Sequence, residues 1–201
     1  YPNMKIVFAT NNQHKLKEIS DMLSDKFKVL GLKELGISEE IPEDHDTLEA
    51  NASQKAWYIY RKTGRSCFAD DTGLEVDALG GAPGVYSARY SRMGSTVFPE
   101  LPPAEGNIKK LLLEMKGVEK RNARFRTVIA LILDGTEHRF EGMCEGHISE
   151  HPSGTDGFGY DPVFIPVLYS KSFADMDLAE KNQISHRAKA VQALVQFLKR
   201  M

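Results

Sequence analysis

The chain has 201 residues, of which 41% are hydrophobic and 27% charged, and its formal net charge is −2. This composition predicts a globular protein with one well-cored domain or two tightly fused lobes, since domains usually contain about 50–250 residues. The mixed charges exclude the broad basic field of a non-specific nucleic-acid binder, so any phosphate recognition is expected to be local.

Location and redox state can also be predicted. No apolar run approaches the ~20 residues that span a bilayer, and no signal segment opens the chain. The two cysteines, Cys67 and Cys144, have no metal-binding or redox spacing, so we expect two reduced, buried thiols in a cytoplasmic protein. Residues 1–3 precede Met4 and are expected to be left over from expression, which gives a domain of residues 4–201.

Alternating strands and helices are predicted for the first half of the chain. In chain order they are a strand at residues 6–9, a helix across 16–23, a strand at 29–32, an exposed acidic loop at 38–46, a helix at 47–60 and a strand at 66–69. The last strand is expected to end in Asp70-Asp71-Thr72-Gly73. This order is typical of an α/β fold.

The second half is predicted to be largely antiparallel. Its elements are a connection at 94–103, a helix at 104–115, strands at 124–133 and 138–148, a glycine-rich loop at 154–160 and a last helix from Ser185. Asp134-Gly135 between the two strands is a hairpin signal. The core stripe of the last helix is predicted to contain Val191, Leu194, Val195 and Leu198.

A polar segment follows the first strand and opens the first helix. It consists of Thr10, Asn11, Asn12, Gln13, His14 and Lys15. Donors, a helix dipole and a positive charge suit a polyphosphate, although the glycines of a Walker loop are absent. A helix N-cap with solvated neighbours is an equal alternative.

Asp70 and Asp71 form an acidic pair that could bind Mg²⁺ or activate a water molecule. If the strand continues they point to opposite faces, whereas at a strand-to-turn corner both reach one cavity. The alternative is an acidic turn before Gly73. Asn51 and Lys55 share one face of the preceding helix, for which a solvated surface is the alternative interpretation.

Two later segments have features of a ligand-binding site. Gly157-Phe158-Gly159-Tyr160-Asp161-Pro162 offers an aromatic ring that could stack on a base, although packing of these aromatics into the core is as plausible. His186 and Arg187 occupy the first turn of the last helix, where cations oppose the helix dipole unless an anion or acceptor approaches. Lys181 could join them as a third donor.

Together these residues resemble the inosine triphosphate pyrophosphatase family, over nearly the whole chain. The resemblance is carried by Thr10-Asn11-Asn12-Gln13-His14-Lys15, Asn51-Ala52 with Lys55, Ala69-Asp70-Asp71-Thr72-Gly73-Leu74, Gly80-Gly81-Ala82-Pro83-Gly84-Val85-Tyr86-Ser87-Ala88-Arg89-Tyr90, residues 157–164 and Ser185-His186-Arg187. Six motifs in one order are more specific than any single motif.

The resemblance implies Mg²⁺-dependent hydrolysis of dITP, ITP and XTP to the monophosphate and pyrophosphate. It also implies a homodimer with an elongated α/β fold, a mixed sheet with flanking helices, and two lobes with the active site in the cleft between them. The implied substrate-binding residues are Thr10, Asn11, Asn12, Gln13, His14, Lys15, Thr72, Phe158, Gly159, Tyr160, Asp161, Lys181, His186 and Arg187. Asp71 would be the proton acceptor, and Lys55 would neutralise developing charge.

The metal ligands implied are Asp71, with Asp70 in support and one glutamate. Many relatives place that glutamate directly before the Asn-Ala pair, but this chain has Ala50 there and Glu49 one residue earlier. Glu49 lies about 200° from Asn51 on a regular helix, so either the first turn is irregular or the ligand set differs. We expect Glu49 to be a ligand, with Glu43, Asp44 and Asp46 as weaker candidates.

Two other functions are compatible with the same residues. A nucleotide sensor would need Lys15, Phe158 and Arg187 but not Asp71. A general metal phosphatase would release orthophosphate stepwise instead of pyrophosphate.

Overall fold

The computed structural model describes residues 4–23 and 27–200 and has a mixed sheet with flanking helices, which confirms the predicted α/β class. Within these residues the strands are β1 (Met4–Phe8), β2 (Phe27–Leu30), β3 (Cys67–Val76), β4 (Pro83–Gly84), β5 (Asn122–Leu133), β6 (Thr136–Ile148) and β7 (Phe164–Pro166). The α-helices of the same residues are α1 (Gln13–Leu23), α2 (Leu48–Thr63), α3 (Pro103–Glu114), α4 (Leu178–Ile184) and α5 (His186–Lys199). The strand order is β2-β1-β3-β5-β6-β7, and β4 pairs with β3. The expected expression remnant, residues 1–3, lies outside the described residues.

The first of two compact units contains, among the described residues, 4–23, 27–71, 127–142 and 185–200. In this unit β1 pairs in parallel with β2 and with β3, and Val7 lies opposite both Leu30 and Cys67. Parallel neighbours require a crossover connection, and α1 and α2 provide the two that this arrangement needs.

The core of the first unit lies where β1, β3 and β5 meet helices α1 and α5. The rings of Phe8 and Phe68 stack with centroids 4.6 Å apart. The predicted stripe of α5 is confirmed at Val191, Leu194 and Leu198, which are buried in this core. Val195, the fourth predicted position, is half-buried against it. These contacts fix the start of α5, which carries two candidate site residues.

The second unit contains residues 72–126 and 143–184, with its own core. Here β3 pairs antiparallel with β4, and β6 pairs antiparallel with β7. Three aromatic rings form the centre of this core. The centroid of the Phe164 ring lies 4.6 Å from that of Phe125 and 5.1 Å from that of Phe173. Leu74 and Leu111 are fully buried beside it.

The predicted hairpin is confirmed, because Asp134 and Gly135 form a two-residue turn with φ of 49° and 82° between β5 and β6. The prediction that β3 ends in Asp70-Asp71-Thr72-Gly73 is wrong. The strand continues to Val76 because β4 pairs with its second half, and Gly73 permits this approach: a Cβ there would lie 2.6 Å from the Gly84 carbonyl oxygen. The short helix α4 was not predicted.

As predicted, Cys67 and Cys144 are buried and are not joined in a disulfide. Across residues 4–23 and 27–200, no helix is both long and apolar enough to cross a membrane.

Candidate active site

Asp70 and Asp71 lie inside β3, and both are buried, with 1% and 7% of their surface exposed. Because adjacent residues of a strand point to opposite faces, the two carboxylates meet different partners. The acidic-turn interpretation is therefore wrong, as is the idea of a strand-to-turn corner.

Asp70 is surrounded by cations. Its Oδ1 lies 3.3 Å from Lys15 Nζ, and its Oδ2 lies 3.8 Å from Arg187 Nε. Burial alone would raise the pKa of Asp70, but the charges of Lys15, Arg187 and Lys55 outweigh it and lower that pKa to about 2. Asp70 is thus ionised at every pH at which the protein would work.

Asp71 has a different environment. Its Oδ2 accepts a hydrogen bond of 3.2 Å from Asn51 Nδ2. Burial raises the pKa of Asp71 to about 6, with Lys55 opposing this effect and Glu43 adding to it. A carboxylate with such a pKa can accept a proton near neutral pH more effectively than an ordinary aspartate.

Asn51 and Lys55 are buried on the β3 side of α2, so the solvated-face interpretation is wrong. Lys55 Nζ donates to the Asp70 carbonyl oxygen at 2.5 Å and to Glu43 Oε1 at 2.6 Å. Burial lowers the pKa of Lys55, but the surrounding charges of Asp70, Glu43 and Asp71 outweigh it and raise that pKa. Lys55 therefore stays protonated.

The polar segment at the start of α1 is ordered by its own side chains. Asn12 Oδ1 accepts from the backbone N–H groups of His14 and Lys15 at 3.0 and 3.2 Å, and Thr10 Oγ1 accepts from that of Asn12 at 3.1 Å. The N-cap alternative thus describes Asn12 correctly, and the phosphate-binding role of the segment stays a prediction. Asn11, Gln13 and His14 are exposed beside this cap.

Lys15 extends from the same turn to Asp70. Burial lowers the pKa of Lys15, and the charge of Asp70 opposes that effect. The half-buried Lys15 and the buried Lys55 therefore both lie beside Asp70, one contacting its carboxylate and the other its carbonyl oxygen.

The first turn of α2 is regular, so an irregular turn does not explain the position of Glu49. Thr47 is the N-cap, its Oγ1 accepts from the Ala50 N–H, and the Asn51 N–H donates to the Thr47 carbonyl oxygen. Glu49 and Asn51 therefore differ by about 200° around the helix axis. The carboxylate that accepts a hydrogen bond from Lys55 Nζ is that of Glu43, in the acidic loop. The role of Glu49 as a metal ligand stays a prediction.

Arg187 is 2% exposed and forms an ion pair with Glu18 of α1 as well as with Asp70. Ser185 is the N-cap of α5, as predicted, with its hydroxyl accepting from the Ala188 N–H at 3.0 Å. His186 follows it and is buried. Sequence reasoning missed Glu18, for which the available signal was its i+3 spacing from Lys15 on one helix face.

A second cluster of predicted residues lies in the second unit. Asp161 Oδ2 accepts from Lys181 Nζ at 2.7 Å and from the Phe158 N–H at 3.0 Å. Lys181 Nζ lies 4.9 Å from the centroid of the Phe158 ring, within range of a cation–π contact. The glycine before Phe158 is required, because a Cβ at Gly157 would lie 2.2 Å from Asp161 Oδ2.

Tyr160 and Thr72 belong to the same unit. The Tyr160 ring is packed in the core, and its hydroxyl donates to the Ser87 carbonyl oxygen at 2.7 Å. Core packing, the alternative for these aromatics, therefore describes Tyr160, whereas Phe158 and Gly159 are half-buried. Thr72 follows Asp71 in β3 and is also half-buried.

In the described residues, no three His, Cys, Asp or Glu side chains lie close enough together to hold a metal alone. Mg²⁺ seldom needs such a cage, since it commonly takes one or two carboxylates and completes its shell with water and substrate phosphates. Asp71 and Glu43, both near Lys55, fit this mode of binding.

A buried carboxylate of raised pKa with two lysines close by is typical of an α/β enzyme that acts on a phosphorylated substrate. Comparison with known proteins gives the same class. The sequence model that describes the Ham1 family matches residues 6–197, and the chain belongs to this family.

Curated relatives match nearly the full length. The chain is 52% identical to the dITP/XTP pyrophosphatase of Porphyromonas gingivalis, covering 96% of this chain and 97% of the relative. It is 48% identical to the enzyme of that name from Flavobacterium johnsoniae, covering 97% and 98%. Among solved structures, a HAM1 protein from Coxiella burnetii has a TM-score of 0.85 at 35% identity, covering 98% of this chain and all of that one.

Proposed function

We propose that the protein is a Mg²⁺-dependent nucleoside triphosphate pyrophosphatase that hydrolyses dITP, ITP and XTP to the monophosphate and pyrophosphate. Such an activity would remove non-standard purine nucleotides from the nucleotide pool. The observation that carries the proposal is Asp71, a buried carboxylate with a raised pKa beside Lys55. The dITP/XTP pyrophosphatases among its relatives support the substrate class.

In the proposed reaction Asp71 accepts a proton from water while the water oxygen bonds to the α-phosphorus. The bond from that phosphorus to the pyrophosphate oxygen breaks, and pyrophosphate leaves. Lys15 and Lys55 stabilise the negative charge that develops, which is the main contribution a protein makes to phosphoryl chemistry. Asp70 holds Lys15 in place and stays ionised throughout.

Mg²⁺ would be held by Asp71 and Glu43, with Glu49 and Asp70 as the less favoured ligands. Asp70 is less favoured because both of its oxygens already lie near cations. When bound, the metal neutralises charge on the phosphates and polarises them. Thr10, Asn12 and the neighbouring residues of the α1 start would then contact the triphosphate.

Base recognition is proposed to involve Phe158 as a stacking surface, with Asp161, Lys181, His186 and Arg187 around the base. Hypoxanthine and xanthine present a 6-oxo group that can accept hydrogen bonds from these cations. Adenine presents a 6-amino donor, which cannot accept them. Because an unpaired buried donor costs about 1–3 kcal/mol, ATP should be a poor substrate. Equal hydrolysis of ATP and ITP would contradict this account.

The decisive experiment measures pyrophosphate and orthophosphate released from ITP with Mg²⁺. Pyrophosphate with no orthophosphate supports the proposed function. Stepwise orthophosphate release would indicate a metal phosphatase, and nucleotide binding without either product would indicate a sensor.

We also propose a cytoplasmic homodimer that takes nucleotides but no nucleic-acid polymer. Cys67 and Cys144 form no disulfide with each other, which suits a reducing compartment. The net charge of −2 gives no broad field for polymer phosphates. Light scattering of the purified chain tests the dimer, since a monomer mass at working concentration would contradict it.

A further inference from the structure

The acidic loop, residues 38–46, lies along one polar face of α2. Helix residues that contact it recur at spacings of three or four, which places them on one face. They are Asn51, Gln54, Lys55, Tyr58 and Lys62, and their loop partners are His45, Asp44, Glu43 and, for the last two, Glu39. The loop is therefore held by a row of polar contacts.

The contacts of Gln54 differ from the others in this row. Gln54 Oε1 accepts from the Asp44 backbone N–H at 2.9 Å, and Gln54 Nε2 donates to Asp44 Oδ2, also at 2.9 Å. One side chain thus holds both the backbone and the carboxylate of a single loop residue. That residue is the direct neighbour of Glu43, whose carboxylate contacts Lys55.

The remaining contacts hold the loop at other residues. The ion pair of Glu39 with Lys62 is about two-fifths exposed on both sides, and such surface pairs contribute little. Asn51 Oδ1 accepts from the His45 N–H at 2.9 Å and Asn51 Nδ2 donates to the His45 carbonyl oxygen at 3.3 Å, so Asn51 holds the loop backbone one residue further along. Fixing the backbone of a loop that has no helix or strand of its own costs conformational entropy, so the loop needs a specific contact near Glu43.

We propose that Gln54 is a positioning residue that fixes the acidic loop so that Glu43 presents its carboxylate beside Lys55 and Asp71. This inference rests on the proposed function, in which Glu43 holds Mg²⁺. Gln54 itself acts only through Asp44 and Glu43. Losing its two hydrogen bonds should leave Glu43 chemically intact but less often in place.

The kinetic test is a double-mutant cycle with ITP as substrate. Gln54→Ala should raise the Mg²⁺ concentration for half-maximal rate about 3- to 10-fold, as expected for losing hydrogen bonds of ordinary strength. In a Glu43→Gln background, the same change should have almost no further effect. Equal effects of Gln54→Ala in both backgrounds would overturn the proposal, because Gln54 would then act independently of Glu43.

One variant serves as a control. Arg61→Ala removes an exposed residue of the same helix, whose guanidinium carbon lies 5.6 Å from the centroid of the Trp57 ring, and it should leave the Mg²⁺ dependence unchanged. A rise in the Mg²⁺ requirement of Arg61→Ala as large as that of Gln54→Ala would contradict a specific role for Gln54.

A second measurement needs no activity. Hydrogen exchange of the metal-free protein should show faster exchange of the Asp44 and His45 amides in Gln54→Ala than in Arg61→Ala, with α2 amides unchanged. Unchanged exchange at Asp44 would overturn the proposal even if activity fell. If the natural chain released no pyrophosphate, the proposed function would fail, whereas the exchange result would still decide whether Gln54 orders the loop.

Discussion

At the scale of single residues, the acidic pair of β3 has two unequal members. Asp70 is ionised among cations, and Asp71 is buried with fewer compensating charges. Opposite strand faces produce this difference, because one carboxylate meets Lys15 and Arg187 while the other meets Asn51. The two should therefore respond in opposite ways to the loss of their charge.

Asp71→Asn should reduce kcat for ITP by about 10²- to 10⁴-fold, the usual contribution of a general base. The same substitution should stabilise the metal-free protein at pH 8. Folding raises the pKa of Asp71 from 3.8 to about 6, so the ionised form is disfavoured in the folded state and stability falls as pH rises through this range.

Urea denaturation in a metal chelator would measure this gain, which should be about 1–3 kcal/mol at pH 8 and should vanish below about pH 4. Asp77→Asn is a suitable control, since it changes an exposed aspartate directly after the same strand. Near-normal turnover of Asp71→Asn would eliminate Asp71 as the base.

Asp70→Asn should have the opposite effect on stability, with a loss of about 3–5 kcal/mol at pH 7, because Lys15 and Arg187 lose a buried partner. Folding lowers the pKa of Asp70 from 3.8 to about 2, so its stabilising contribution is present above pH 4 and is lost as pH falls towards 2. Urea denaturation between pH 7 and pH 3 should show the gap between the natural chain and the variant narrowing. A gap that stays constant over this range would contradict the assignment.

At the scale of elements, close packing of β6 against α5 fixes the turn that carries His186 and Arg187. A Cβ at Gly142 would lie 2.0 Å from the His186 carbonyl oxygen and 2.5 Å from the Ala190 nitrogen. Both neighbours are backbone atoms of a helix, which cannot move without the helix. The glycine is therefore part of what places α5 on the sheet.

Gly142→Ala should destabilise the protein by about 1–3 kcal/mol or more, the range for overpacking a well-filled core. Gly31→Ala is the matched control, because a Cβ at Gly31 would meet the end of the flexible Leu16 side chain instead of backbone. Thermal denaturation should show a clearly lower Tm for Gly142→Ala than for Gly31→Ala. Equal Tm values would show that α5 moves away at little cost.

At the scale of the whole molecule, three strands have residues in both compact units. They are β3, β5 and β6, and each unit has its own core. A strand that runs through two cores cannot lose its order in one without weakening its pairing in the other. We therefore expect the chain to unfold in one cooperative transition.

Trp57, the single tryptophan, lies in the first unit and can report on this cooperativity. Phe164→Ala removes a buried ring of the second core and should cost about 3–5 kcal/mol. If unfolding is cooperative, the urea midpoint seen by Trp57 fluorescence should fall by the same amount as that seen by circular dichroism. An unchanged Trp57 midpoint would indicate that the units unfold separately.

Local patterns predicted the elements well, since periodicity, the Ser185 cap and the Asp134-Gly135 turn depend on neighbouring residues. Prediction was wrong at β3, where aspartates and a glycine read as a strand end. Pairing with β4 overrides that local preference, and the residues around Gly73 contain no pattern that predicts this pairing. The spacing of Lys55 was likewise compatible with a solvated helix face, whereas in the fold Lys55 is buried on the β3 side of α2.

The sequence by itself determined the α/β order of elements and most of the candidate site residues, because motif spacing is written along the chain. Only the tertiary structure decided which carboxylate meets which cation. The ion pair between Glu18 and Arg187 joins residues 169 positions apart, and Glu43 meets Lys55 through the path of a loop. Charges and burial set a pKa over a few ångströms of space, and those distances exist only once the chain is folded.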